Sequence, residues 1–172
     1  EAVIHDAALI PPASERDSGL TLRVNVEGTR NAIEACQAAA ARPRFVFASS
    51  ISVFGPTPDR PPPRRADEPL HPTDHYSRSK VACEEMIRAS GLPWVILRLG
   101  AALPAAPRGL GDFDAESWFR IDPETRVEFV HPRDVSRAQV RAIEVPEAVG
   151  RVLLIGGGAR CQVRMRDVGA VH

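Results

Sequence analysis

One tyrosine and one lysine of this chain have residue types and a spacing that suit proton transfer. Tyr76 is the sole tyrosine of the 172 residues, and Lys80 is the sole lysine beside twenty-one arginines. Because residues four apart share one face of a helix, the ammonium can lie near the phenol oxygen. A nearby cation lowers the pKa of a tyrosine toward the range that is useful at neutral pH. The alternative is that the two residues share a solvated helix turn by chance.

A hydroxyl group that could hold a substrate oxygen comes from an upstream strand. Residues 44–49 form an apolar run typical of a buried parallel strand, and Ser49 and Ser50 stand at its end. Open α/β sheets bind their ligands at the carboxyl ends of the strands. We therefore expect one of these hydroxyls to orient the reacting oxygen while Tyr76 moves the proton. Ser50 is the preferred residue and Ser49 the competing one.

The elements around these residues alternate between strand and helix. Apolar runs predict strands over residues 2–5, 44–49, 94–99, 127–130 and 152–155. Helical patterns cover residues 20–41, 74–90 and 132–143, and a further helix can begin at Met165. Strands joined by helices through short links predict an α/β fold, a doubly wound parallel sheet of Rossmann-like type with helices on both faces.

Two parts of the chain differ in regularity. Residues 1–100 are expected to form a partial Rossmann-like catalytic core, and residues 101–172 a small, irregular C-terminal substrate-binding part with some segments returning to the core. Residues 55–73 hold seven prolines, too many for any regular element except polyproline II. A rigid active-site loop is the preferred interpretation of this segment, and a proline-rich ligand for an SH3-type module is the alternative.

Composition narrows the classes of function. The chain is 44% hydrophobic, and its 22 basic residues equal its 22 acidic ones. No surplus of positive charge favours nucleic acid or an anionic membrane, so the expected partners are a small-molecule substrate and other subunits, with a homodimer possible. Three widely spaced cysteines suit neither a disulfide framework nor a zinc site, and no metal is expected. A cytoplasmic location is the expectation.

Six segments, in this order, resemble motifs of the extended short-chain dehydrogenase/reductase family, which includes nucleotide-sugar epimerases and dehydratases. They are Val3–Ala8 (V-x-H-L-A-A in the family), Asn25–Asn31 (N-V-x-G-T-x-N), Ala48–Gly55 (S-S-S-x-x-V-Y-G), Tyr76–Lys80 (Y-x-x-x-K), Val95–Arg98 (V-I-L-R) and Phe129–Val135 (F-V-H-V-x-D-V). A single Y-x-x-x-K is a weak signal, whereas six motifs in the family's order are a specific one. The resemblance covers nearly the whole chain.

The resemblance implies a nicotinamide cofactor, NAD or NADP, and a role for each matched residue. Tyr76 exchanges a proton with the substrate, Lys80 lowers the pKa of Tyr76 and holds the nicotinamide ribose, and Ser50 orients the reacting oxygen. Asn25 matches the asparagine of the family's active-site helix, although it could instead bond its own helix backbone. The remaining cofactor contacts implied are Ala7, Ala8 and Leu99.

Four departures from the family pattern shape the expected activity. The glycine-rich turn that binds pyrophosphate is absent from the sequence. The chain also starts without Met, in a strand-like run. We therefore expect this chain to be cut from a longer protein that supplies the first βαβ unit. Leu99-Gly100-Ala101 replaces the usual P-G-N, and the stretch from Pro104 to Arg126 is short for a lid, so a small hydroxy or keto substrate is favoured over a nucleotide sugar. Ile51-Ser52 replaces the Asp-Glu of dehydratases, which favours an epimerase or a dehydrogenase/reductase.

Other candidate residues have plainer interpretations. His5 and His131 are expected to be structural histidines, each bonding a neighbouring backbone group, and Cys83 a small core residue. Gly156-Gly157-Gly158 lacks the spacing of a dinucleotide fingerprint and is expected to be a turn after a strand. Two alternatives to an enzyme stay open: a non-catalytic nucleotide-binding relative, and an interaction module that uses the proline-rich loop.

Overall fold

Four parallel strands form the central sheet of the protein. A computed structural model describes residues 1–56, 62–102 and 122–170. Numbered along the whole chain, the strands of this sheet are β1 (Ala2–His5), β2 (Arg44–Ser50), β3 (Trp94–Leu99) and β6 (Arg151–Ile155). Their spatial order is β1-β2-β3-β6, and every neighbouring pair is parallel. The predicted α/β class with a parallel sheet is confirmed.

Helices cover both faces of this sheet because its inner strands are apolar on both sides. In β2, Phe45 and Phe47 pack against helices α3 (Gly28–Ala38) and α4 (His75–Ala89), whereas Val46 faces helix α5 (Pro132–Glu144). All three side chains are at most 1% exposed. Strands buried on both faces are typical of parallel sheets between helices. The Rossmann-like arrangement with flanking helices is thus confirmed.

The long helix expected over residues 20–41 is divided into three parts. It begins as a short helix α2 (Ser18–Thr21), continues as a π-helical turn (Leu22–Glu27), and then becomes α3. The helix ends at Ala38, three residues early, since Ala39 is extended and Arg42 has a left-handed backbone with φ of 38°. Alanine favours helix, but the chain must turn here to enter β2 at Arg44. A four-residue helix α1 (Ala13–Arg16), for which no helical pattern was found in the sequence, lies between β1 and α2.

Most of the later elements have the predicted types, but two short strands were not predicted and a 3₁₀ segment stands in place of the helix expected from Met165. Helix α4 begins after Asp74, which caps it in a capping box with Ser77. Strands β5 (Arg126–Val130) and β6 and helix α5 occur where they were expected, and the glycine triplet follows β6. Strand β5 belongs to a small second sheet of order β4-β5-β7, with β4 at Ala101–Ala102 and β7 at Gln162–Arg164. A 3₁₀ segment, Met165–Ala170, follows β7.

A sharp turn after β2 brings the proline-rich loop against the site. A 3₁₀ turn (Ile51–Phe54) ends at Gly55, whose φ is +61°. A Cβ atom on Gly55 would lie 1.9 Å from the carbonyl oxygen of His71, and the His71 N–H donates to the Val53 carbonyl at 3.0 Å. Only glycine combines this backbone conformation with so close an approach. The end of the proline-rich loop is therefore fastened to the turn that follows Ser50.

We expect Gly55→Ala to destabilise the protein by more than Gly91→Ala, as measured by urea unfolding. Both glycines have positive φ, of +61° and +71°, but nothing lies within 4 Å of a Cβ at Gly91. The control variant therefore reports the backbone strain alone, about 1–3 kcal/mol. Gly55→Ala adds the clash with the His71 carbonyl. Equal losses in the two variants would show that the loop moves aside without cost.

Candidate active site

The structure brings the side chains of Ser50, Tyr76 and Lys80 together at the carboxyl edge of the sheet. Ser50 is the last residue of β2, and its hydroxyl lies close enough to the phenol of Tyr76, on the first turn of α4, to act on the pKa of that phenol. One turn further along, the Lys80 Nζ atom lies 5.6 Å from the centre of the Tyr76 ring. The same ammonium donates a hydrogen bond of 2.7 Å to the carbonyl of Ala48. Two hydroxyl groups thus meet at one point with a cation behind them.

Burial is the largest influence on the pKa values of Tyr76 and Lys80. It raises the pKa of Tyr76 above its ordinary value, with the nearby hydroxyl of Ser50 offsetting part of the effect. Burial also lowers the pKa of Lys80 to about 8. Burial outweighs any lowering of the Tyr76 pKa by the charge of Lys80, so the net shift is upward and the expected effect of Lys80 stays a prediction. The physical reason is desolvation, which disfavours the charged form of both groups. At neutral pH the Tyr76 phenol keeps its proton and can donate it.

The two candidate serines have different partners. Ser49 is 2% exposed, and its hydroxyl donates a hydrogen bond of 2.6 Å to the carboxylate of Glu84. Ser50 instead meets Tyr76, and its oxygen also accepts from the N–H of Ser52 at 3.1 Å. Because the Ser49 hydroxyl is bonded to the Glu84 carboxylate, Ser50 is the serine whose hydroxyl lies beside Tyr76.

Asn25 holds the loop after β1 against α4. It lies in the π-helical turn and is 2% exposed. Its side chain accepts from the Leu9 N–H at 2.7 Å, donates to the Leu9 carbonyl at 3.0 Å, and donates to the Ser79 hydroxyl at 2.9 Å. The side chain therefore does not bond its own helix backbone, the alternative that the sequence left open. This arrangement makes Asn25 a positioning residue, because its polar atoms are used by the loop and by α4.

The expected cofactor contacts also lie at this edge of the sheet. Ala7, which is exposed, and Ala8, which is half-buried, come directly after β1. Leu99 is the last residue of β3 and pairs in register with Ser50. Small side chains on an exposed loop leave room for a flat ring and a ribose to approach the backbone, and Lys80 supplies a donor for ribose hydroxyls. The residues present fit the nicotinamide end of a cofactor.

A buried ion pair that sequence reasoning missed lies directly behind the site. Arg98 and Glu84 are each 1% exposed, and they form two hydrogen bonds of 2.9 and 2.8 Å. Burial alone would raise the pKa of Glu84, but hydrogen bonds from Arg98 and Ser49 outweigh it and lower that pKa. Glu84 follows Lys80 by four residues and shares its helix face. Two features of the sequence could have indicated this pair: a carboxylate one helix turn after the Y-x-x-x-K segment, and an arginine near the end of an apolar strand.

The same arginine fastens the proline-rich loop. Its Nη1 atom donates to the carbonyl of Ala66 at 2.9 Å, and its guanidinium lies 5.0 Å from the centre of the Phe54 ring. Arg64, from the loop, lies 5.7 Å from the same ring. Loop residues 62–74 are thus bonded to the body of the protein, which favours the active-site-loop interpretation over a free peptide ligand. Residues 57–61 lie outside the described part.

The two histidines and Cys83 serve the scaffold. The His5 ring is within hydrogen-bond distance of the Thr29 hydroxyl, at 2.9 Å, and stacks on Phe47 with ring centres 5.8 Å apart. His131 caps α5 by accepting from the N–H of Arg133 at 3.0 Å. Cys83 is buried and donates to the Asn25 carbonyl at 3.2 Å. His131 thus bonds a neighbouring backbone as expected, whereas the partner of His5 is a side chain.

Comparison with known protein families settles the family. The model of the NAD dependent epimerase/dehydratase family matches residues 1–156. The chain belongs to this family. It is 29% identical to D-erythronate dehydrogenase of Cupriavidus necator over 161 residues, which cover 84% of this chain and 49% of that protein. It is 35% identical to short-chain dehydrogenase/reductase family 42E member 1 of Mus musculus over 150 residues, or 73% of this chain and 36% of that protein. The chain thus spans half or less of these relatives.

Solved structures of similar fold contain nicotinamide cofactors. MoeE5 in complex with UDP-glucose and NAD is 28% identical and superposes with a TM-score of 0.79 over 98% of this chain and 60% of that one. RMD from Pseudomonas aeruginosa complexed with NADPH has a TM-score of 0.79 at 23% identity, over 96% of this chain and 61% of that one, and supports the fold alone.

Within the described residues, no helix could cross a membrane and no cluster of three or more His, Cys, Asp or Glu could hold a metal ion.

We expect Arg98→Met to lower the free energy of unfolding by about 3–5 kcal/mol, because it leaves the Glu84 carboxylate buried without its partner. Urea unfolding would measure this loss. The double variant Glu84→Leu with Arg98→Met should recover most of it, since apolar residues of similar volume need no charge partner. Additive losses in the double variant would contradict the pairing.

Proposed function

We propose that the full-length protein is an NAD(P)-dependent oxidoreductase that transfers a hydride between the nicotinamide and a carbon bearing a hydroxyl or carbonyl group. The observation that carries this proposal is the meeting of the Ser50 and Tyr76 hydroxyls at the carboxyl edge of the sheet, with Lys80 buried behind them. A substrate oxygen placed between the two hydroxyls would receive two hydrogen bonds. Family membership supports the cofactor class.

The residues of this chain would act on the oxygen while the cofactor supplies or accepts the hydride. In reduction, Ser50 donates a hydrogen bond to the carbonyl oxygen and Tyr76 delivers its phenolic proton to it. Because the pKa of Tyr76 lies above its ordinary value, the phenol carries its proton at neutral pH before a reduction begins. Lys80 holds the nicotinamide ribose, and its charge stabilises the phenolate that forms. In oxidation the same proton travels the other way.

A small hydroxy acid is the substrate class that we favour. D-erythronate dehydrogenase, whose name denotes oxidation of a sugar acid, matches 84% of this chain. Leu99-Gly100-Ala101 also offers no asparagine for a nucleotide-sugar substrate. The second candidate is an epimerase acting on a sugar nucleotide, supported by the similarity to MoeE5 with UDP-glucose and NAD. The convergence of Ser50, Tyr76 and Lys80 speaks against a non-catalytic relative.

The cofactor contacts that we assign to this chain are limited to the nicotinamide end. Ala7, Ala8 and Leu99 would contact the ring and ribose beside Tyr76 and Lys80, at the edge where β1, β2 and β3 end. No segment of the 172 residues has the spaced glycines that bind pyrophosphate. The choice between NAD and NADP is therefore not assigned to these residues. A homodimer remains a prediction.

Tyr76→Phe in the full-length protein should lower kcat by about 10²–10⁴ with little effect on cofactor affinity, because only the transferable proton is lost. The assay follows reduction of NAD and of NADP with D-erythronate and related hydroxy acids and, in parallel, formation of the epimer of UDP-glucose, which leaves the cofactor unchanged overall. Turnover of a hydroxy acid alone would favour the dehydrogenase over the epimerase. Wild-type turnover by Tyr76→Phe would remove the proposed acid and base.

The rate of cofactor capture should depend on pH through Lys80. With a pKa of about 8, the Lys80 side chain loses its charge as pH rises through that value, so kcat/KM for the cofactor should fall above about pH 8. Arginine stays charged throughout this range, so Lys80→Arg should lack this alkaline limb, whatever its absolute rate. Profiles from pH 6 to 10 for the two proteins test this. The same limb in both would assign it to another group.

A further inference from the structure

A carboxylate from the short helix α1, in the segment that follows β1, is bonded to the first turn of the helix that carries Tyr76. The two carboxylate oxygens of Glu15 accept hydrogen bonds from the backbone N–H groups of His75, at 3.0 Å, and Tyr76, at 3.1 Å. These are the first two residues of α4, and N–H groups at this position have no partner within the helix. Within the described part of the chain, the side chain of the helix cap, Asp74, accepts a hydrogen bond from the Ser77 N–H and from no other backbone group. Glu15 therefore completes the start of α4.

The segment that carries Glu15 is itself held firmly. The Thr21 hydroxyl donates to the carbonyl of the buried Ser14 at 2.7 Å, and Ser14 donates to the Glu15 carboxylate at 2.9 Å. Nearer β1, Asn25 bonds both backbone groups of Leu9. The loop is thus fastened on one side of Ala7 and Ala8 by β1 and on the other by Asn25, and it ends on the backbone of Tyr76.

We infer that Glu15 is a positioning residue that couples the cofactor-binding loop to Tyr76. The inference rests on the proposed function, which assigns Ala7 and Ala8 to the cofactor. A cofactor bound against Ala7 and Ala8 would further reduce the motion of this fastened segment, and through Glu15 the motion of the Tyr76 backbone. This coupling is reciprocal. The factor by which the cofactor favours the bonded start of α4 equals the factor by which the bonded start of α4 strengthens cofactor binding.

The geometry predicts an order of effects for substitutions at Glu15. The carboxylate offers two acceptor oxygens and a negative charge beside the helix N-terminus, where such a charge is favourable. Glutamine keeps one acceptor oxygen and loses the charge, whereas alanine keeps neither. Glu15→Gln should therefore fall between the native protein and Glu15→Ala in every measurement. Glu85→Ala is the matched control, because Glu85 is an exposed glutamate on α4 without a hydrogen bond in the described residues.

Amide hydrogen exchange in the full-length protein without cofactor tests the bond itself. NMR should show exchange at the His75 and Tyr76 amides about tenfold faster in Glu15→Ala than in the native protein, as expected for one lost hydrogen bond each. Glu85→Ala should leave both rates unchanged. Unchanged rates in Glu15→Ala would overturn the inference at its first step. If Glu15→Ala does not fold, Glu15→Gln gives the same comparison with a smaller change.

Addition of NAD, and separately of NADP, tests the coupling. In the native protein the cofactor should slow exchange at these two amides further, and Glu15→Ala should lose this added protection. The same variant should lower kcat about tenfold while changing the substrate KM less than twofold. Absence of added protection in the native protein, or its survival in Glu15→Ala, would overturn the coupling.

These outcomes separate the inference from the proposed function. An inactive Tyr76→Phe beside a fully active Glu15→Ala would overturn the coupling and leave the proposed chemistry intact. An active Tyr76→Phe would overturn the chemistry, while exchange at the His75 and Tyr76 amides would still decide whether Glu15 responds to the cofactor.

Discussion

Two opposite charges buried behind the site hold its parts in one arrangement. Arg98 belongs to β3, Glu84 to α4, and both are almost fully shielded from water. Such charges are tolerated only when they satisfy each other, so the pair fixes how α4 sits on the sheet. Glu84 shares a helix face with Tyr76, eight residues earlier, and with Lys80, four residues earlier. The pairing therefore directs Tyr76 and Lys80 toward the end of β2, where Ser50 lies.

The network extends from this pair to both sides of the site. Ser49 donates to Glu84, which fixes the end of β2 next to Ser50. Arg98 donates to Ala66, which draws the proline-rich loop over the Phe54 ring. Gly55 allows the end of that loop to approach the turn after Ser50. One ion pair thus contacts the strand, the helix and the loop that together form the site.

Burial of the site decides the protonation states of its two titrating residues. The partners of the Lys80 ammonium are the Ala48 carbonyl and the face of the Phe47 ring, 4.6 Å away. Neither carries a full negative charge, so burial lowers the pKa of Lys80 to about 8. The phenol of Tyr76 is raised in pKa for the same reason. At neutral pH the phenol therefore holds a proton that it can donate, and the charge of the Lys80 ammonium, while it is present, stabilises the phenolate left behind.

The sequence by itself determined most of the local elements, because the strand runs, the helical patterns and the spacing of Tyr76 and Lys80 depend on near neighbours. It also determined the family, through motifs in order. Only the tertiary structure decided which serine faces Tyr76, what Asn25 and Glu15 bond, and that the pKa of Tyr76 is raised. Glu84 and Arg98 are fourteen residues apart, and Glu15 and Tyr76 sixty-one, so no local pattern reveals their contact. Desolvation is likewise a property of everything packed around a group, which no spacing of two residues can specify.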